Sequence, residues 1–164
     1  MRGWRIIRAG GLAAAVAMAG LGGYLTYLHA SGNFHPVVVN ELYRSAQVSD
    51  GDLADYQRRY GIRSVLNLRG ASAGEGWYDT EIAASAALGL AHADFAMNAS
   101  QELGPEDATR LIALMRGLPK PLLVHCRHGS DRTGLAMALY LAVIKGASES
   151  EAEGQLSLWF GHFS

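Results

Sequence analysis

Residues 122–134 read LLVHCRHGSDRTG, and this stretch decides the fold. Leu122 to Cys126 is a short apolar run just after Pro119 and Pro121. Its length suits a buried central strand. A loop, Arg127 to Asp131, follows, and the chain turns at Arg132 into a helix. That helix, LAMALYLAVIKG (135–146), is apolar nearly all round and stops at Gly146. It is therefore buried or covered on two sides. At 135–144 its apolar part is too short to span a membrane.

A strand that feeds a short loop and then a helix can turn successive backbone N–H groups inward as an anion nest. The helix N-terminus adds its positive end at the same place. Gly129 permits the tight turn, and Arg127, His128 and Ser130 complete the loop around it. Arg132 brings a planar fork of donors that matches two phosphate oxygens. Cys126, the single cysteine, stands at the loop's start. It can form neither an internal disulfide nor a multi-cysteine zinc site. A thiol attacks as its thiolate, which N–H donors, a helix N-terminus and a guanidinium all favour. Thr133 can donate to the sulfur as it leaves, and His125 can fix the loop through its ring. A lone cysteine at a strand end is usually just buried; Arg132 and Thr133 in register with it argue for chemistry.

The flanking sequence repeats strand and helix. ELYRSA (41–46), SVLNLR (64–69) and LAHADFA (90–96) read as strands. Ser49 caps a helix that ends at Gly61, with Asp50 and Asp52 in its first turn. A Gly-rich loop, 70–76, leads to a helix from Trp77 to Leu88. Gly104-Pro105 opens another with Glu106 and Asp107. Ser148 caps a last one. Alternating strands and helices predict an α/β fold, with a mostly parallel central sheet flanked by helices.

The chain has 164 residues, 49% of them hydrophobic and 18% charged, with a net charge of −1. This is one domain's worth, with enough apolar material for a core. A chain this close to neutral does not resemble a nucleic-acid binder. Arg2, Arg5 and Arg8 precede an uncharged run, Ala9 to Leu28; residues 31–164 then carry 11 basic against 15 acidic side chains, a formal −4. Twenty residues at about 1.5 Å each span roughly 30 Å, the thickness of a bilayer core. The run predicts a transmembrane helix, with the domain exported to the periplasm by the positive-inside rule. Tyr24 and Tyr27 would sit at the far interface. The alternative is a signal peptide, cleaved to leave a soluble periplasmic protein, although the run exceeds the usual apolar core of such peptides. The expected organisation is an anchor or signal over 1–30, a linker over 31–36, and a catalytic domain over 37–164, short at its aromatic C-terminus.

The loop resembles the signature of the cysteine-dependent phosphatases, His-Cys-x5-Arg-Thr/Ser-Gly. His125, Cys126, Gly129, Arg132, Thr133 and Gly134 occupy its fixed positions. The wider chain, over 37–160, looks like bacterial tyrosine or dual-specificity phosphatases of the compact type, through LYRSAQ (42–47), VLNLRG (65–70) and MNASQE (97–102). The resemblance implies a dual-specificity-phosphatase-like fold and a two-step reaction through a cysteinyl-phosphate, without metal or other cofactor. Cys126 would attack phosphorus, Arg132 and the loop amides would hold the equatorial oxygens, and water would release phosphate.

In that family an aspartate on a separate loop protonates the leaving group. Here FAMNASQELGPE (95–106) places Ala99 at its position. Asp131, Glu102 and Asp94 remain as candidates. Arg127 and His128 make the mouth locally basic, and Arg69, at a strand's C-terminal end, is a candidate supporting contact. The substrate implied is a phosphotyrosine protein, with phosphoserine or phosphothreonine beside it. The alternative is an inositol phosphate or phosphoinositide, with the membrane as partner through the N-terminal helix. A phosphate-binding pseudophosphatase is a third reading, supported by Ala99 alone. A sulfurtransferase is a fourth, and the Arg-Thr-Gly after the loop counts against it.

Overall fold

The computed structural model describes residues 2–98 and 100–163, with side chains from residue 15 onward. Ala99 lies outside the described residues. Five strands form one sheet: β1 (His35–Val38), β2 (Leu42–Ser45), β3 (Ser64–Asn67), β4 (Ala91–Asp94) and β5 (Leu122–His125). Their order is β1-β2-β5-β3-β4. Strands β2, β5, β3 and β4 run parallel, and β1 pairs antiparallel at the edge. The architecture is an α/β fold with a mixed central sheet flanked by helices.

Strand β5 is central and buried at every position, as its apolar run predicts. Ser45 and Asn67 lie in register with His125 on either side of it. The three strands therefore end together, directly below the loop at 126–130.

Alternation along the strands builds two cores. Leu122 and Val124 pack with Leu42, Leu66, Leu111, Met115 and Met137 on one face. These last three come from α4 (Pro105–Gly117) and α5 (Asp131–Leu139). Leu123 packs with Tyr43, Val65, Leu53 and Ile62 on the other, where α2 (Asp50–Tyr60) and α3 (Gly76–Ala87) lie. Each fully buried Leu contributes about 2 kcal/mol, so the sheet is held from both sides.

The helix ends follow their capping residues. Ser49 Oγ accepts from the Asp52 amide at 3.1 Å, and the Asp52 carboxylate accepts from the Ser49 amide at 2.9 Å. Gly61 closes α2 at φ +67°. Helix α5 widens into a π-helical turn over Tyr140–Lys145 and stops at Gly146, φ +66°. A short helix, α6 (Glu149–Glu153), starts at the Ser148 cap.

Two expectations are revised. Residues 31–36, expected to be a linker, are tied into the domain. His35 and Pro36 belong to β1, Phe34 stacks on Tyr56 at 4.1 Å, and Asn33 is buried. In the sequence β1 carries no strand signal, because His-Pro breaks the apolar alternation.

The N-terminal expectation is corrected more heavily. Residues Arg2–Ala30 do form a helix, α1. Among the described residues, however, no helix is long and apolar enough to cross a membrane. The expected placement as a single-pass inner-membrane protein is not supported by the described residues. Eleven of the twenty residues from Ala9 to Leu28 are Ala or Gly, whose small side chains each add little apolar area. Its far end also packs on protein. Leu28 is buried, and the Tyr24 hydroxyl, expected at a membrane interface, donates to the Trp159 carbonyl at 2.6 Å.

Candidate active site

The loop between β5 and α5 is held from outside through its carbonyls. The Arg127 carbonyl accepts from the Gln47 amide at 3.3 Å. The His128 carbonyl accepts from Asn33 Nδ2 at 3.0 Å. The Gly129 and Ser130 carbonyls accept from Arg44 Nη2 at 2.7 and 3.3 Å. With four successive carbonyls drawn outward, the amides between them are free to face the enclosed side. The Gly129 amide donates to Cys126 Sγ at 3.3 Å. Such an arrangement at a helix N-terminus is the geometry of an anion nest.

Two glycines are dictated by packing. Gly129 has φ +73°, and a Cβ there would lie 2.8 Å from the backbone of Ser45 and Ala46. A Cβ on Gly134 would lie 2.8 Å from the Gln155 carbonyl and 2.9 Å from Leu156. The loop must press against β2's end, and α5 against the segment after α6.

Arg44 is the largest fully buried side chain among the described residues. Besides the loop carbonyls, its Nη1 donates to Gln155 O at 3.0 Å and Oε1 at 2.9 Å. Its guanidinium lies 3.9 Å from the Phe160 ring centre. Burial lowers its pKa to about 10, with the Cys126 charge acting the other way.

Cys126 is buried at the loop's base. Arg132 lies half-buried, with Nη1 near the carbonyls of Met97 and Leu68 at 3.4 and 3.5 Å. Thr133 is fully buried, and its hydroxyl has no partner among the described residues. His125, fully buried, donates from Nε2 to Glu81 at 2.9 Å. Arg127 and His128 are exposed on the rim. Burial lowers the His128 pKa, and Arg127, Arg132 and His29 add to the effect more than Asp131 opposes it. Arg69 is held over the Trp77 ring, 3.3 Å from its centre. Burial lowers its pKa, as do Arg127 and Arg132. So Arg69, Arg127 and Arg132 share one electropositive mouth.

The three acid candidates fall in different places. Asp94 is committed: Asn67 Nδ2 donates to one oxygen at 2.8 Å and the Tyr78 hydroxyl to the other at 2.6 Å. Glu102 is exposed, in a cavity of about 150 Å³ with Asn98, Gln101 and Asp107. Asp131 lines a 230 Å³ cavity with Arg132, Met97, Asn98, Gln101 and His162. His162 Nδ1 donates to its Oδ1 at 2.7 Å. Of these three, Asp131 is the one that lines a cavity with Arg132 among the described residues.

The chain also matches known proteins. A model of the tyrosine phosphatase family matches residues 20–151. The chain belongs to that family. This phosphatase depends on a cysteine, and Cys126 is the sole one. Among solved structures it is similar to TpbA from P. aeruginosa in complex with pTyr, at 22% identity and TM-score 0.59, covering 80% of this chain and 76% of that one. It is also similar to the catalytic core of the PP-IP phosphatase Siw14 from S. cerevisiae in complex with citrate, at 19% identity and TM-score 0.65, covering 79% and 76%. A phosphatase from Neisseria meningitidis matches at 17% identity and TM-score 0.59, covering 77% and 87%. At these identities the likeness is one of fold. No curated protein matches the chain.

Several residues of this candidate site had no role readable in the sequence: Arg44, Gln47, Asn33, Glu81 and His162. Arg44 and Gln47 stood out only through the LYRSAQ context (42–47), which left their roles open. Glu81 and His162 carried no signal, because their partners are 44 and 31 residues away. Among the described residues no group of three or more His, Cys, Asp or Glu side chains is placed to hold a metal ion.

Proposed function

We propose that this phosphatase hydrolyses phosphotyrosine in proteins through a cysteinyl-phosphate. The observation that carries this reading is the row of four loop carbonyls held outward beside Cys126 and Arg132. In the first step Cys126 sulfur bonds to phosphorus while the phosphorus–oxygen bond to tyrosine breaks. Loop amides and the Arg132 fork hold the three equatorial oxygens. Asp131, whose Oδ1 accepts from His162, is the donor of the proton to the leaving oxygen. In the second step water attacks phosphorus, Asp131 takes back a proton, and the sulfur leaves as thiolate with the Thr133 hydroxyl beside it. Arg127, His128, Gly129 and Ser130 frame the phosphate. Arg69 is a supporting contact, and Glu102 and Asp94 are the alternative acids.

A second reading, an inositol phosphate or phosphoinositide substrate, is favoured by the cluster of Arg69, Arg127, Arg132 and His128 at the mouth. The Siw14 likeness points the same way. Single-turnover hydrolysis by the full chain, with chelator present, tests both. Wild type and Cys126→Ser would be compared on an aryl phosphate, a phosphotyrosine peptide, a phosphoserine peptide and an inositol polyphosphate. Turnover of the phosphotyrosine peptide, lost in Cys126→Ser, is the expected result. A preference for the inositol polyphosphate would replace the first reading by the second. No turnover by a folded, phosphate-binding chain would sink both.

A further inference from the structure

Glu81 sits on α3, an element that contributes nothing to the phosphate loop, and its side chain is fully buried. A carboxylate in such a place is costly unless its oxygens are well bonded. Here Oε1 accepts from His125 Nε2 at 2.9 Å and from His92 Nε2 at 2.8 Å. Oε2 accepts from Gln47 Nε2 at 2.5 Å. Burial pushes the Glu81 pKa up, but the bonds and charge of His125, with the bonds from His92 and Gln47, outweigh it and take it to about 2.

An ionised carboxylate only accepts hydrogen bonds, so both imidazoles must present Nε2–H to it. This sets the hydrogen on His125 Nε2. The ring's other nitrogen, Nδ1, is buried with no partner, so Glu81 is the ring's single polar anchor among the described residues. His125 immediately precedes Cys126. Its ring therefore helps to fix how the chain leaves β5 and where the sulfur points.

The same carboxylate reaches the mouth by a second route. Gln47 Oε1 accepts from Arg69 Nη1 at 2.6 Å. With Trp77 below it, the guanidinium is fixed from the side and from beneath. We propose that Glu81 is a positioning residue for the phosphatase reaction. It locks His125 behind the nucleophile and, through Gln47, aims Arg69 at negative charge on the substrate. It touches neither the substrate nor the reacting atoms. The catalytic part of this proposal rests on the cysteine-phosphatase reading above.

A carboxylate that only supported the fold would alter stability alone. One that positions both groups acts on two separable quantities, kcat through His125 and KM through Gln47 and Arg69. Two measurements on the full chain read them: steady-state kinetics on an aryl phosphate, and the rate at which iodoacetamide alkylates Cys126. The second is clean because there is one cysteine. Each variant is first checked for a cooperative thermal transition.

Glu81→Gln is expected to lower kcat about tenfold or more, as small misplacements of a reacting group do, and to change the alkylation rate. Combined with His125→Asn it should do no more harm than the worse single change, because both disturb one unit. Gln47→Leu leaves the His125 arm intact and should raise KM about threefold with a smaller effect on kcat. A folded Glu81→Gln with wild-type kcat and alkylation would overturn the proposal. So would a double variant whose loss is the product of the single losses. If Glu81→Gln does not fold, Gln47→Leu decides: unchanged KM removes the relay to Arg69. A wild type that cleaves no phosphomonoester would instead count against the proposed function, while the alkylation rates would still report whether Glu81 positions Cys126.

Discussion

The two sides of the phosphate loop are built on opposite plans. Behind it, toward β2 and the C-terminal turns, Arg44 and Asn33 are buried and bonded to loop carbonyls. In front, Arg127, His128 and Asp131 are exposed. The back fixes geometry at a cost in desolvation; the front keeps its charges hydrated and adaptable. Rate should therefore respond most sharply to changes behind the loop, and substrate preference to changes in front of it.

The largest effect is expected from Arg44→Met. It keeps length and volume but removes the donors that face Gly129, Ser130 and Gln155. Carbonyls left buried without a partner cost about 1–3 kcal/mol each. A loss near 3 kcal/mol should lower the thermal midpoint by about 10 °C. Activity should fall with it, since the loop amides lose their alignment. An unchanged midpoint with full activity would mean that the loop holds its shape without external support, and the contrast between back and front would collapse.

Asp131→Asn comes next. General acids contribute typically about 10²–10⁴-fold, and most where the leaving group is poor. Hydrolysis of an alkyl phosphate should drop toward the upper part of that range, and hydrolysis of a nitrophenyl phosphate only slightly. Equal losses on the two would remove Asp131 as the acid and return attention to Glu102, which lies in the neighbouring cavity. Asp94 is a weaker substitute, because both its oxygens already accept hydrogen bonds.

The same contrast governs what could be read from the sequence. The strand–loop–helix at 122–134 was legible because its chemistry is local. Cys126, Gly129 and Arg132 must lie within one turn of chain to face one anion. The central position of β5 was legible from Leu122, Leu123 and Val124, which leave no polar face. The supports were not legible. Arg44 lies 85 residues from Gly129, and Asn33 lies 95 from His128. Nothing in either neighbourhood states that register. Helix α1 failed for a different reason. The absence of charge was the only signal in the run, and Leu28, at its far end, is buried in the domain.

The smallest and most selective effect is expected at the rim. Arg127 is exposed, and its charge already contributes to lowering the Arg69 pKa. It carries no bond that orders the loop through its side chain among those described, so Arg127→Gln should leave kcat and stability near wild type. Its loss removes one positive charge from a mouth where charges interact through water. Exposed pairs contribute about 0.2–1 kcal/mol, which corresponds to a KM rise of roughly fivefold at most. The rise should be greatest for a substrate with a second phosphate or neighbouring acidic residues, and smallest for a simple aryl phosphate. It should shrink between about 0.05 and 0.5 M salt as screening shortens the reach of the charge. A comparable KM rise on every substrate, insensitive to salt, would assign Arg127 to the loop's geometry and place it with Arg44. A salt-dependent rise confined to the multiply charged substrates would separate the adaptable front from the fixed back at a single side chain.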